Sequence, residues 1–169
     1  MNLFAVLVLS GWVPLTILFF LIGPPHRAVL LSVLGGVLFL PMGGFNFPGV
    51  PPVNKYTVIG ISLFLGGVLS GHRFNATVRW GWYDFPLLLW CICPLLTSLA
   101  NGLGWYDGIA GVWGNFVLWG LPYMAGRIYF DSADKLFDLC RAILVGGLLY
   151  APLILFELRM SPQLSNIFY

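Results

Sequence analysis

Long apolar runs, separated by short polar or proline-rich segments, restrict most strongly what this chain can fold into. The first run, Leu3–Ile22, has no charged residue and ends at the sequence Gly-Pro-Pro. A helix needs about 20 apolar residues to cross the hydrocarbon core of a bilayer. Only 8% of all residues are charged, whereas a soluble domain has about a quarter. The composition therefore predicts an integral membrane protein.

The sequence predicts an all-α fold: a polytopic transmembrane helical bundle with about six spans. Residues 1–169 form one transmembrane domain, with spans near residues 3–22, 28–42, 56–71, 85–100, 109–125 and 139–156. The first run is interpreted as a retained helix, because no positive segment precedes it and no small-residue cleavage site follows it. Aromatic residues make up 17% of the chain, which is typical of rings at the membrane interface.

The distribution of Lys and Arg predicts the orientation of the bundle. Loops with more Lys and Arg residues tend to face the cytoplasm. The first, third and fifth loops contain six such residues: Arg27, Arg73, Arg79, Arg127, Lys135 and Arg141. The opposite side has only Lys55 and Arg159. We therefore expect the N-terminus and residues 157–169 to be periplasmic, in a bacterial inner membrane.

Glycine pairs occur in the middle of three predicted spans, at Gly35-Gly36, Gly66-Gly67 and Gly146-Gly147. Missing side chains allow helix backbones to approach each other closely. Broken helices that line a transport cavity are the alternative explanation. The segment Pro41–Pro52 cannot be helical because of its prolines, and it is either an outer loop or a re-entrant segment.

No motif of a soluble enzyme or metal site is present, and we expect no cofactor and no metal. Cys91, Cys93 and Cys140 are interpreted as small hydrophobic residues, since no ligand set accompanies them. The net charge of +2, without any basic run, excludes a nucleic-acid partner. His26 and His72 each stand beside an arginine and are expected near lipid headgroups, with a catalytic base as the alternative.

Charged residues on the predicted outer side are the candidate substrate-binding residues. Asp107 follows Trp105 and Tyr106, and it is either a sugar contact or a turn residue. Glu157 and Arg159 stand where the sixth span leaves the bilayer. An arginine at that position could bind a phosphate with two parallel hydrogen bonds. The alternative is that boundary charges serve only to end the span.

Two segments resemble a known family. The sequences "LPYMAGRIYF" (Leu121–Phe130) and "GGLLYAPLILFELRMSPQLSNIFY" (Gly146–Tyr169) are similar to the first half of bacterial O-antigen ligase/polymerase-like membrane proteins. The phrase from Glu157 to Leu164 is similar to one found in a subgroup of polysaccharide polymerase homologues. That subgroup often has His where this chain has Ser165, so the resemblance assigns no role to this position.

The resemblance implies an enzyme that transfers or polymerises a glycan from an undecaprenyl-diphosphate carrier on the outer face of the membrane. Arginines would hold the diphosphate, with Arg159, Glu157 and Asp107 as the substrate-binding candidates here. The catalytic residues of the family lie in a large loop of its second half, so we expect this chain to be an N-terminal half of a larger bundle and inactive alone. Partners would be the lipid-linked glycan, membrane lipids and other polysaccharide-assembly proteins.

Two other functions are compatible with the sequence. The chain could be a transporter half or the membrane substrate-binding subunit of an importer, with the glycine pairs and the proline-rich segment building its site. A scaffold without a ligand is the third possibility. Genes for glycosyltransferases nearby would favour the enzyme, and a gene for an ATPase would favour the transporter.

Overall fold

The structure, a computed structural model, confirms the predicted all-α fold, and the residues that it describes contain one very small sheet besides the helices. It describes residues 3–41, 43–45, 51, 53–71 and 81–160. The helices are α1 (Leu3–Ile22), α2 (Pro25–Phe39), α3 (Lys55–Leu69), α4 (Phe85–Ala100), α5 (Trp105–Asn115), α6 (Leu121–Tyr129) and α7 (Ala133–Met160). The strands β1 (Gly44–Phe45) and β2 (Val53–Asn54) pair antiparallel. Predictions that concern Arg73, Arg79 and residues 161–169 lie outside the described residues.

Proline and asparagine fix the helix ends that differ from the predicted spans. α2 begins at Pro25, earlier than predicted, because proline fits the first turn of a helix. It ends at Phe39 because Leu40, which precedes Pro41, is extended. α3 begins after Asn54, whose side chain accepts hydrogen bonds from the backbone of Tyr56 and Thr57.

The fifth predicted span is longer than expected and contains a π-helical turn. α5 continues through Phe116–Gly120, a turn of π-helix, directly into α6. The backbone N–H of Leu121 donates to the carbonyl of Phe116, five residues earlier. Pro122 lacks the N–H that a regular α-helix would direct to the carbonyl of Leu118. The proline therefore accounts for the altered hydrogen bonding at this point.

Within the described residues, three helical segments are long and apolar enough to cross a membrane: Phe4–Ile22, Trp82–Ala100 and Ala133–Arg159. α2 and α3 are apolar but have only 15 residues each, about 22 Å at 1.5 Å per residue. The hydrocarbon core is about 30 Å thick. The structure thus agrees with a membrane protein, while the number of six spans stays a prediction.

Consecutive helices run in opposite directions when α5, the π-turn and α6 are counted as one continuous helix. The end of α2 meets the start of α3, where Gly36 lies against Ile59. Asp84, directly before α4, meets Arg127 in the second half of α6, and Leu95 in the second half of α4 lies against Gly108 near the start of α5. The starts of α2 and α7 meet at one end, where His26 contacts Asp138. Helix starts and ends therefore alternate between two ends of the molecule.

The core lies among α1, α2, α3 and α6, and glycines allow these helices to pack closely. A Cβ atom on Gly36 would come within 2.6 Å of Ile59, and one on Gly66 within 2.5 Å of Phe20. Phe20 also makes an edge-to-face contact with Tyr129. The close-packing explanation of the first two glycine pairs is therefore confirmed. The third pair differs, because a Cβ on Gly147 would meet no atom within 4 Å.

Candidate functional site

A buried carboxylate joins the start of α4 to α6. Asp84 is only 2% exposed, and it ends the short 3-10 turn Trp82–Asp84 that leads into α4. Its Oδ2 accepts from the backbone N–H of Gly81 at 2.7 Å, and its Oδ1 accepts from the hydroxyl of Tyr123 at 2.6 Å. The guanidinium of Arg127 also pairs with Oδ1. Every oxygen of this buried carboxylate thus has a donor.

Arg127 is held on both sides in the same cluster. Its second terminal nitrogen donates to the hydroxyl of Tyr83 at 3.1 Å, and its guanidinium carbon lies 4.7 Å from the centre of the Tyr83 ring. Tyr123 places a second ring 5.9 Å away. We call Asp84, Tyr83, Tyr123 and Arg127 the polar cluster. Its positive and negative charges balance, so it suits a structural link between helices better than a site for a charged ligand.

The space beside the polar cluster is small and apolar. A cavity of about 50 Å³ adjoins Asp84 and Arg127, and the rest of its lining is mainly aliphatic, aromatic and sulfur-containing. Cys91 lies in this lining and is buried, as expected for a cysteine that acts as a small hydrophobic residue. Cys91, Cys93 and Cys140 are all free thiols.

A second ionic contact attaches α7 to α2. Oδ2 of Asp138 lies 3.3 Å from Nε2 of His26 and 3.2 Å from Nε of Arg27. One turn earlier, Lys135 donates to Asp131, and this hydrogen bond holds the pKa of the Asp131 carboxyl below its usual value. Within the described ranges, no three side chains of His, Cys, Asp or Glu lie together in a way that could hold a metal ion.

The three sequence-predicted substrate-binding residues occupy helix ends. Asp107 is exposed in the first turn of α5, where a negative charge is favourable, and Trp105 and Tyr106 beside it are exposed too. Arg159 is exposed in the last turn of α7, and Glu157 is partly exposed there. Among the residues that the structure describes, none forms an ion pair with any of the three. No contact among the described residues brings Asp107 together with the other two.

A larger cavity of about 310 Å³ lies between the start of α3 and the helical stretch that contains the π-turn. Polar side chains in its lining include Asn54, Thr57 and Asn115, and aromatic ones include Tyr56 and Trp113. None of its described lining residues carries a charge. The amide nitrogen of Asn115 donates to the carbonyl of Trp90 at 3.2 Å, which fixes this side chain against α4.

Sequence reasoning missed both the polar cluster and this cavity. The sequence assigned Arg127 to the fifth loop, but it lies in α6 and pairs with a carboxylate 43 positions earlier. Asp84 received no role, although an acidic residue directly before an apolar run is a signal for a helix start. Pro122, inside a predicted span, is the signal that could have indicated an irregular turn near Asn115.

Comparison with models of known protein families, with curated proteins and with solved structures finds no match. The family resemblance of the two segments therefore rests on their residues alone.

Proposed function

We propose that this chain is the N-terminal part of a bacterial inner-membrane O-antigen ligase/polymerase-like protein, which transfers or polymerises an undecaprenyl-diphosphate-linked glycan. The observation that carries the proposal is the phrase that begins at Glu157, in the last turns of the long apolar helix α7. A helix of this length and composition could deliver the phrase to one membrane surface. Arg159 would there meet a lipid-linked diphosphate.

The segment Leu121–Phe130, which also resembles the family, supports the proposal in a different way. It supplies both Tyr123 and Arg127 to the polar cluster. A buried carboxylate needs such donors, because an unpaired charge in an apolar environment is costly. These two residues of the resembling segment therefore neutralise and hydrogen-bond the buried Asp84 carboxylate. They lie at the opposite end of the bundle from Arg159.

We propose six membrane crossings, one for each helical stretch. The opposite directions of consecutive helices support this arrangement, and so does the shared location of Arg27, Arg127 and Lys135 at one end. That end would face the cytoplasm. The starts of α3 and α5 and the end of α7 would then face the periplasm, where the lipid-linked glycan is met.

In the proposed reaction, a hydroxyl of the acceptor attacks the anomeric carbon and the carrier diphosphate leaves. Arg159 would bind the diphosphate with two hydrogen bonds and stabilise its developing negative charge. Glu157 would orient Arg159 or contact sugar hydroxyls, and Asp107 would contact the glycan. The attacking hydroxyl would be activated by residues outside this chain, in the second half of the family.

The test of this proposal is the substitution Arg159→Ala in the native gene, with surface polysaccharide and capped lipid measured by gel and mass spectrometry. We expect a strong loss of glycan product, because the leaving group loses its cation. Arg141→Ala is the matched control, since Arg141 is another exposed arginine of α7 but lies near the other end of the helix. Normal glycan output from Arg159→Ala, at normal expression, would remove Arg159 from the reaction.

The orientation has a separate test. In a background with Cys91, Cys93 and Cys140 replaced, Leu103→Cys and Ser132→Cys place single thiols at exposed positions of opposite ends. A membrane-impermeant maleimide should label residue 103 in intact cells and residue 132 only after lysis. The reverse pattern would contradict a periplasmic position for Arg159.

A membrane transporter half or substrate-binding subunit is the second candidate function. The π-turn of Phe116–Gly120 beside the 310 Å³ cavity favours it, because interrupted helices frequently line the sites of transporters. Uptake of a small solute that depends on this gene, with unchanged surface glycan, would support this function over the first.

A further inference from the structure

We propose that the 310 Å³ cavity beside the π-turn is a binding site for an uncharged, ring-shaped ligand that bears hydroxyl groups, such as a neutral sugar unit. The site shares no residue with Arg159, Glu157 or Asp107, so the inference goes beyond the proposed function. It holds equally for a protein that transfers glycans and for one that transports them.

The size of the cavity limits the ligand. Pockets that bind small molecules usually have about 300–1,000 Å³, and a volume of about 310 Å³ is at the lower end of this range. The space therefore suits one ring rather than a long chain. It adjoins the start of α3, the second half of α5 and the π-turn that follows.

The charge of the lining limits the ligand further. All described lining residues are uncharged, while a phosphate or carboxylate bound in a partly enclosed space needs a cationic partner. An anion is therefore disfavoured, and so is a cation. The hydrogen-bonding groups that remain are amides and hydroxyls, which pair with neutral hydroxyl groups.

The aromatic and amide side chains can make the two kinds of contact that a sugar ring uses, namely stacking on an aromatic ring and hydrogen bonds to its hydroxyl groups. Trp113 is 40% exposed, so it keeps ring surface that an apolar ring face could cover. The partly buried ring of Tyr56 already lies beside the ammonium of Lys55, so Trp113 is the main stacking surface. Asn115 is held by Trp90, which leaves its amide oxygen to accept from a hydroxyl. A hydrogen-bond acceptor that is already fixed beside an exposed aromatic ring can orient such a ligand, and little side-chain entropy is then lost on binding.

Two features of the backbone shape the floor of the site. Gly114 lines the cavity, and a Cβ on it would meet no atom within 4 Å. Leu118 also lines the cavity, and Pro122 has no N–H to donate to the Leu118 carbonyl, as another residue at position 122 would in a regular helix. π-turns of this kind occur frequently at functional sites. The empty space above Gly114 provides a way to fill the cavity without displacing the core.

The experiment measures ligand contact by saturation-transfer NMR on the purified chain in a phosphocholine detergent, which has no sugar headgroup. The probes are glucose, galactose, N-acetylglucosamine and rhamnose, with glucuronate and inorganic phosphate as charged comparisons. We expect transfer to the ring protons of at least one neutral sugar and little to the charged probes. Trp113→Ala should weaken binding about tenfold through loss of stacking.

Gly114→Leu is the decisive variant, because its side chain would occupy the cavity, and Gly147→Leu is the matched control on α7. Binding should be lost in the first variant and kept in the second. No transfer to any neutral sugar, or equal transfer in both variants, would overturn the proposal. This outcome leaves the Arg159 test of glycan output unaffected, so the two proposals can fail separately.

Discussion

The α1–α3 region and α7 both contain long apolar stretches but are packed in different ways. In the first region glycines lie directly against large side chains, as Gly66 lies against Phe20. In α7, no side chain of residues 133–159 is buried, and its main neighbour is α2. In a bilayer, lipid tails are as apolar as leucine, so hydrophobicity alone does not drive helices together. Close backbone approach and polar links decide which helices associate.

The contacts between α7 and the other helices are correspondingly few. Gly146 comes near Leu38 at an ordinary contact distance, and Gly147 faces open space. Two other described contacts join α7 to α2: Asp138 meets His26 and Arg27 at one end, and the ring of Tyr150 makes an edge-to-face contact with Phe39. α7 is therefore attached more weakly than α1, α2 and α3 are to one another, and substitutions should affect the two regions unequally.

The largest effect is expected from Arg127→Met, which tests whether α4 and α6 belong with the tightly packed region. The variant leaves the Asp84 carboxylate buried without its cation, and breaking a buried ion pair on one side is strongly destabilising. Unfolding in mixed detergent and dodecyl sulfate micelles, followed by circular dichroism, should shift more than for either variant below. Arg141→Met is the control. An equal shift for both arginines would mean that the polar cluster adds nothing to stability.

An intermediate effect is expected from Gly66→Leu, because the added side chain collides with the buried ring of Phe20. Such overpacking costs about 2 kcal/mol of unfolding free energy. Gly147→Leu, with open space around its Cβ, should change stability by less than about 0.5 kcal/mol. The same unfolding assay measures both. If Gly147→Leu destabilised as much as Gly66→Leu, the contrast between the two regions would be wrong.

The smallest effect is expected from Asp138→Asn, which removes the charge that His26 and Arg27 contact. Global unfolding should change little, because this contact is partly exposed to solvent. Hydrogen exchange in the first turns of α7 should become faster. Asp134→Asn on the same helix serves as the control, since Asp134 is exposed. Unchanged exchange in the Asp138 variant would show that this contact does not hold α7.

Much of the helical architecture follows from local chemistry and could be predicted. The helices Leu3–Ile22 and Phe85–Ala100 coincide with two of the apolar runs in the sequence, because polar or proline-containing segments follow or precede those runs. The two glycine pairs in α2 and α3 lie at helix contacts, as expected. The candidate substrate-binding residues were placed at helix ends from the same local signals, and their role stays a prediction.

The sequence by itself determined that this is an apolar, all-α protein, and it determined roughly where each helix begins and ends. Both follow from hydropathy and from helix-ending residues, which are properties of short stretches of sequence. Only the tertiary structure decided that Arg127 would meet Asp84 rather than lipid, and that Asn115 and Tyr56 would border one cavity. Those encounters depend on how each helix is rotated against its neighbours. Rotation is set by the packing of all helices together, and no local stretch of sequence contains that information.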